Sequence, residues 1–170
     1  IMKIKTKRMS YEQVINLKHP KDKKPLKPLF LLRLAIRILA IFDLISTNFH
    51  FTKHDMEKAG KGPYLILMNH SSFIDLKIVS RIFFPKPYCI VCTSDGFVGK
   101  SLLMRLLGCI PTRKFTNDPT LIKNIKFALK EKKTSVLMYP EASYSFDGCA
   151  TPLPQKLGRL LKFLDVPVVY

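Results

Sequence analysis

From residue 63 to the end of the chain, short and almost wholly apolar runs alternate with helix-length segments. The runs are PYLILMNH (63–70), PYCIVCTS (87–94), TSVLMYPE (134–141) and VPVVY (166–170). Each is too short for an ordinary helix and too uniformly apolar for a strand that keeps one face in water. Strands of this kind are buried on both faces, and helices must do the covering. The intervening segments read as those helices: 71–84, 98–108, 118–132 and 155–165. Pro85 and Pro87 bar continuation of the first, and Gly108 is placed as the C-terminal cap of the second. Asp118-Pro119 opens the third, with Asp as N-cap and Pro in the first turn. CIPTRKF (109–115) reads as a short strand or extended loop. The pattern predicts an α/β domain with a largely parallel central sheet flanked by helices.

Composition narrows what such a domain works on. The chain has 170 residues, with 29 Lys+Arg against 12 Asp+Glu, a net charge of +17. Hydrophobic residues make up 47% and mean hydropathy is +0.08, which excludes a disordered basic tail. Four cysteines are too few for a secreted disulfide scaffold of this length. A basic yet greasy domain fits an anionic surface, either nucleic acid or membrane.

The position of the charge favours membrane. Residues 1–28 hold nine Lys/Arg against Glu12 and Asp22, and KHPKDKKPLKP within them is Pro-rich. The apolar segment LFLLRLAIRILAIFDLI (29–45) follows directly, with its helix expected to reach residue 47. A basic cluster abutting an apolar helix attracts anionic lipid. A span needs about 20 apolar residues with few charges. This run is shorter and carries Arg33, Arg37 and Asp43. An in-plane interfacial helix is therefore expected, ahead of a helix packed on the domain's own core. No cleavage site of small residues follows, so a signal peptide is not expected. The chain stops at Tyr170 inside an apolar run, which reads as the N-terminal part of a longer protein.

Three groups of residues carry chemistry. In NHSSFID, His70 ends an apolar run and Asp75 opens a helix, five residues on. On one continuous helix such positions diverge by about 140°, so the pair meets only if the chain turns between them. Ser71 or Ser72 as N-cap supplies that turn. Asp75 would then fix one ring nitrogen and leave the other as a base. The plainer alternative is that Ser72-x-x-Asp75 is only a capping box. His50 and Asp55 share the same spacing but lie in a polar connector, and read as surface residues. In GCIPTRK, Arg113 follows an extended segment and can clamp a phosphate, or simply be solvated. In YPEASYS, Glu141, Ser143 and Tyr144 follow a buried run and can orient a polyol, or form a polar turn. Cys89-x-x-Cys92 lies inside a strand, where residues three apart face opposite sides, and no second such pair follows. Buried, reduced core cysteines are expected rather than a metal or redox pair.

NHSSFID, then GCIPTR, then YPEASYS, then VPVVY, resembles the glycerolipid acyltransferase family, nearest to the 1-acyl-glycerol-3-phosphate (lysophosphatidate) type. The resemblance covers about residues 60–170 as an acyltransferase domain. It implies that His70 is the general base and Asp75 its orienting partner. It implies a phosphate contact at Arg113, helped by Lys114, and an acceptor site at Glu141, with Ser143 and Tyr144 beside it. It implies an apolar structural or acyl-chain role for 166–169. The third block departs from the family's Glu-Gly-Thr-Arg-Ser: Ala142, Ser143 and Tyr144 stand in place of Gly, Thr and Arg. Tyrosine brings a hydrogen bond but no charge, which leaves a non-phosphorylated acceptor open.

The implied reaction moves a fatty acyl group from a thioester to the hydroxyl of a lyso-glycerolipid, in phospholipid biosynthesis. The donor is acyl-CoA or acyl carrier protein (acyl-ACP) as co-substrate, with no metal and no other cofactor. The implied setting is an anionic membrane surface on the cytoplasmic face, peripheral or monotopic. The competing classes are a non-catalytic membrane-surface domain of the same fold and, third, a nucleic-acid binder.

Overall fold

The computed structural model describes residues 10, 12, 23–72, 74–113, 118–141 and 152–170. The elements are α1 (Phe30–Ser46), β1 (Leu65–Leu67), α2 (Ile74–Phe83) and β2 (Tyr88–Thr93). A 3-10 turn (Ser94–Phe97), α3 (Ser101–Leu106), β3 (Cys109–Thr112) and α4 (Pro119–Lys130) follow. The chain then forms β4 (Ser135–Met138), α5 (Leu157–Leu164) and β5 (Val168–Val169).

The five strands form one sheet in the order β3-β2-β4-β1-β5, and every pairing is parallel. Leu65 pairs with both Val136 and Val168, while Ile90 pairs with Leu137 on one side and Cys109 on the other. The crossovers put helices on both faces. On one face Ile125, Ala128 and Leu129 of α4 and Leu164 of α5 pack on Leu65, Cys89, Ile110 and Val136. On the other, Val79 of α2 packs with Tyr64, Ile66 and Leu137. Consecutive strand residues thus enter opposite cores, which is why the runs read as continuously apolar.

The caps behave as their residues dictate. Asp118 Oδ1 accepts the Leu121 N–H at 3.1 Å, with Pro119 as the first helical residue. Gly108 closes α3 at φ +85°, and a Cβ there would strike the Pro28 ring. That contact belongs to a strap, residues 23–29, laid across the sheet's lower end. Pro25 and Pro28 are buried in it, Arg105 donates to the Lys24 carbonyl at 3.3 Å, and the Leu29 N–H donates to the Leu106 carbonyl at 3.0 Å.

Two boundaries are tighter than the sequence suggests. Strand β1 covers only three residues, because the Met68 N–H to Met138 carbonyl bond, 3.3 Å, is the last rung before the chain turns away. Helix α2 begins at Ile74 rather than 71, because Ser71 and Ser72 are spent on its capping turn.

Helix α1 packs along α2 with its polarity inverted. Arg33 donates to the Pro85 carbonyl, Arg37 lies over the Phe84 ring at 4.5 Å from its centroid, and Lys77 donates to Asp43. Its charged side chains thus face the protein, beside buried Ala40 and Leu44. Leu31, Phe42 and Ile45 are 75%, 74% and 73% exposed. Among the described residues, no helix is long and apolar enough to cross a membrane.

Candidate active site

Strand order locates the site. β1 and β4 are neighbours, but the chain leaves β1 toward β2 and leaves β4 toward β5, in opposite directions across the sheet. The order thus reverses between β1 and β4, and α/β sheets bind ligands beyond the carboxyl ends of strands at such a switch point. His70 follows β1, and Tyr139 and Glu141 follow β4.

The His70 Nδ1 and Asp75 Oδ2 atoms lie 2.7 Å apart. The same Oδ2 accepts the Ser71 N–H at 2.9 Å and the Ser72 N–H at 3.1 Å. An oxygen that accepts two backbone donors is an acceptor toward the ring as well, so the ring donates to it from Nδ1. Ser72 Oγ in turn accepts the Ile74 N–H at 3.3 Å. Capping and ring orientation are therefore both present, and one oxygen of Asp75 serves both. The Asp75 side chain is only 4% exposed and that of His70 is 21% exposed, so the ring reaches solvent while its partner does not.

Tyr139 stacks on the imidazole, with ring centroids 4.0 Å apart and planes inclined by 20°. The sequence showed this residue only as part of a block. Its signal was parity, because it continues the alternation of Leu137 onto the face that α2 covers. Glu141 Oε2 and Tyr139 Oη are both buried. Arg113 is exposed at the end of β3, where its N–H donates to Asp118 Oδ2 at 3.4 Å. It shares the rim with His70 but stands three strand positions away, about 14 Å at the usual inter-strand spacing. Lys114, Ser143 and Tyr144 lie outside the described residues.

Elsewhere the side chains take ordinary roles. His50 Nε2 pairs with Asn48 Oδ1 at 3.0 Å and Asp55 with Lys58 at 2.7 Å, so the second His-x4-Asp makes no pair. Cys89 faces the α4 side and Cys92 the opposite side with Ile90. Burial pushes the Cys89 thiol up to about 12. Its hydrogen bond with Cys109, and then burial, raise Cys92, while the same bond lowers Cys109. A cavity bordered by Arg33, Ser80, Phe84 and Tyr88 lies under α1 at the opposite end of β2 from the rim. It holds about one water and is no substrate site.

An imidazole held by a buried carboxylate at the switch point of a parallel α/β sheet has the geometry to take a proton from a bound hydroxyl. Residues 50–170 match the Acyltransferase family model. The chain belongs to that family, the family of the glycerolipid acyltransferases. Searches of curated proteins and of solved structures return no match.

Proposed function

We propose that the protein transfers a fatty acyl group from an acyl thioester to the hydroxyl of a lyso-glycerolipid, as a 1-acyl-glycerol-3-phosphate acyltransferase does. The observation that carries this reading is the 2.7 Å contact between His70 and Asp75 at the switch point, in a chain of this family. The acceptor hydroxyl gives its proton to His70 Nε2 as its oxygen attacks the thioester carbonyl. The new C–O bond forms, the C–S bond breaks, and the departing thiolate takes the proton from the imidazolium. Proton transfer of this kind contributes about 10²–10⁴-fold in rate. Arg113 and Lys114 are the cations on hand for an acceptor phosphate, and Glu141, Ser143 and Tyr144 the groups for its polyol. The donor is acyl-CoA or acyl-ACP, and the leaving thiolate is that of CoA or the carrier protein.

The exposed apolar face of α1 supports peripheral or monotopic work at a membrane surface, and the proposal sets it at anionic lipid on the cytoplasmic face. Its outward apolar residues would enter the headgroup boundary and stand beside lipid substrates. The test is transfer by the purified chain from acyl-CoA to lysophosphatidate in mixed micelles, with lyso-lipids lacking the phosphate in parallel. Ester formation that disappears in His70→Ala is expected. Thioester left unconsumed with every lyso-lipid would show a membrane-binding domain without the reaction.

A further inference from the structure

The Asp75 bond holds the imidazole at one corner, Nδ1. A hydrogen bond at Nδ1 anchors a corner of the ring but permits rocking about the Nδ1–Oδ2 line, and rocking swings Nε2 away from the acceptor. The Tyr139 ring removes that motion, lying flat against the imidazole with centroids 4.0 Å apart and planes 20° from parallel. Its own position is set by the sheet. Met138 pairs with Leu67, and the Met68 N–H donates to the Met138 carbonyl at 3.3 Å, so Tyr139 leaves a rung fixed to β1. The two restraints come from different elements, α2 through Asp75 and β4 through Tyr139, and meet on one ring.

We propose that Tyr139 is a positioning residue for His70, which fixes the plane of the imidazole and favours the imidazolium formed during proton transfer. The second effect follows from the ring's negative face, which attracts a cation lying over it. The proposal rests on the acyl-transfer reading for its kinetic meaning, but the stack is measurable without turnover.

Two substitutions separate ring from phenol: Tyr139→Phe keeps the aromatic face, and Tyr139→Leu keeps apolar bulk without it. Each is prepared as the full chain. It is assayed with acyl-CoA and lysophosphatidate, and its histidine ring resonances are recorded, His70 being assigned with His70→Gln. Four histidines make that spectrum simple. In wild type and Tyr139→Phe the His70 ring protons are expected upfield of those of His50 and His54, from the ring current. In Tyr139→Leu the shift is expected to vanish, with kcat lowered about tenfold, KM little changed, and Phe at the wild-type rate. Wild-type kcat in Tyr139→Leu, a Phe variant as slow as Leu, or an unshifted His70 in wild type would each overturn the proposal. Should Tyr139→Leu not fold, the Phe variant and the wild-type spectrum still decide. A wild-type chain that transfers nothing sinks the acyl-transfer reading, while the spectrum continues to report on the stack.

Discussion

Asp75 has two tasks on one oxygen, and the tasks can be pulled apart by substitution. His70→Ala removes the imidazole proposed as the base and leaves Ser71 and Ser72 capped. Transfer should fall about 10²–10⁴-fold while stability changes by less than about 1 kcal/mol. Asp75→Ala removes the imidazole's anchor and also the nearly buried carboxylate that accepts from two backbone donors. It should therefore lower both the rate and the stability, the latter by about 2 kcal/mol in urea unfolding. Equal stability losses in the two variants would show that the carboxylate does not cap α2. The core offers a second residue-scale test, through pH. Burial, and then the Cys109 charge, raise Cys89 from its ordinary 9.0 to about 12. Burial likewise raises Tyr88 from 10.0 to about 12. Both groups stay protonated in the folded chain after they have ionised in the unfolded one. The unfolded state then binds fewer protons, so stability is intact at neutral pH and is lost as pH climbs from 9 to 12. The urea midpoint should drop between pH 7 and about pH 11, and Cys89→Ala should make the drop shallower. An unchanged slope in that variant would show that Cys89 plays no part.

Among the elements, the strands were legible because a short run that is apolar on both faces is satisfied only inside a sheet covered on both sides. Strand ends were less so: nothing in PYLILMNH marks Met68 as the last rung, since that depends on where β4 lies. The His70–Asp75 contact followed from a turn between two spaced residues, and Asp118 and Gly108 from ordinary cap chemistry. The Tyr139 stack did not follow, because it needs the β1–β4 register, which links residues far apart in the chain. Helix α1 shows the same limit. Arg33 and Arg37 share a helical face at four-residue spacing, but whether that face looks inward or outward is decided by Phe84 and Pro85. They look inward, which leaves the apolar face without a protein partner among the described residues. Arg37→Ala should lower the stability of the folded chain by about 1 kcal/mol through the lost contact over Phe84, measured by urea unfolding. A neutral effect would mean that α1 is held on α2 by Arg33, Asp43 and its buried Ala40 and Leu44 alone.

For the whole molecule, the sheet separates two unlike surfaces. One is the apolar face of α1; the other, across the sheet, is made by α4 and α5, where Lys123, Lys126, Lys130, Arg159 and Lys162 are all exposed. Lys126 lies over Phe163 at 4.7 Å and Lys130 donates to the Asp165 carbonyl at 3.2 Å, so the two helices present one basic face. A bilayer seated on α1 is a sheet and a helix layer away from those charges, well beyond the ~8 Å screening length of physiological salt. If α1 docks the chain, apolar contact there and the lysines beside it set vesicle affinity, and the basic face contributes little. Phe42→Ser with Ile45→Ser should weaken binding to anionic vesicles by about a thousandfold, each side chain giving up roughly 2 kcal/mol of burial. Lys123→Glu with Lys126→Glu, which removes far more charge, should change it by less than about twofold. The comparison is made by vesicle co-sedimentation at physiological salt. If the lysine pair proves the more damaging, the bilayer meets α4 and α5, and the inverted polarity of α1 needs another partner.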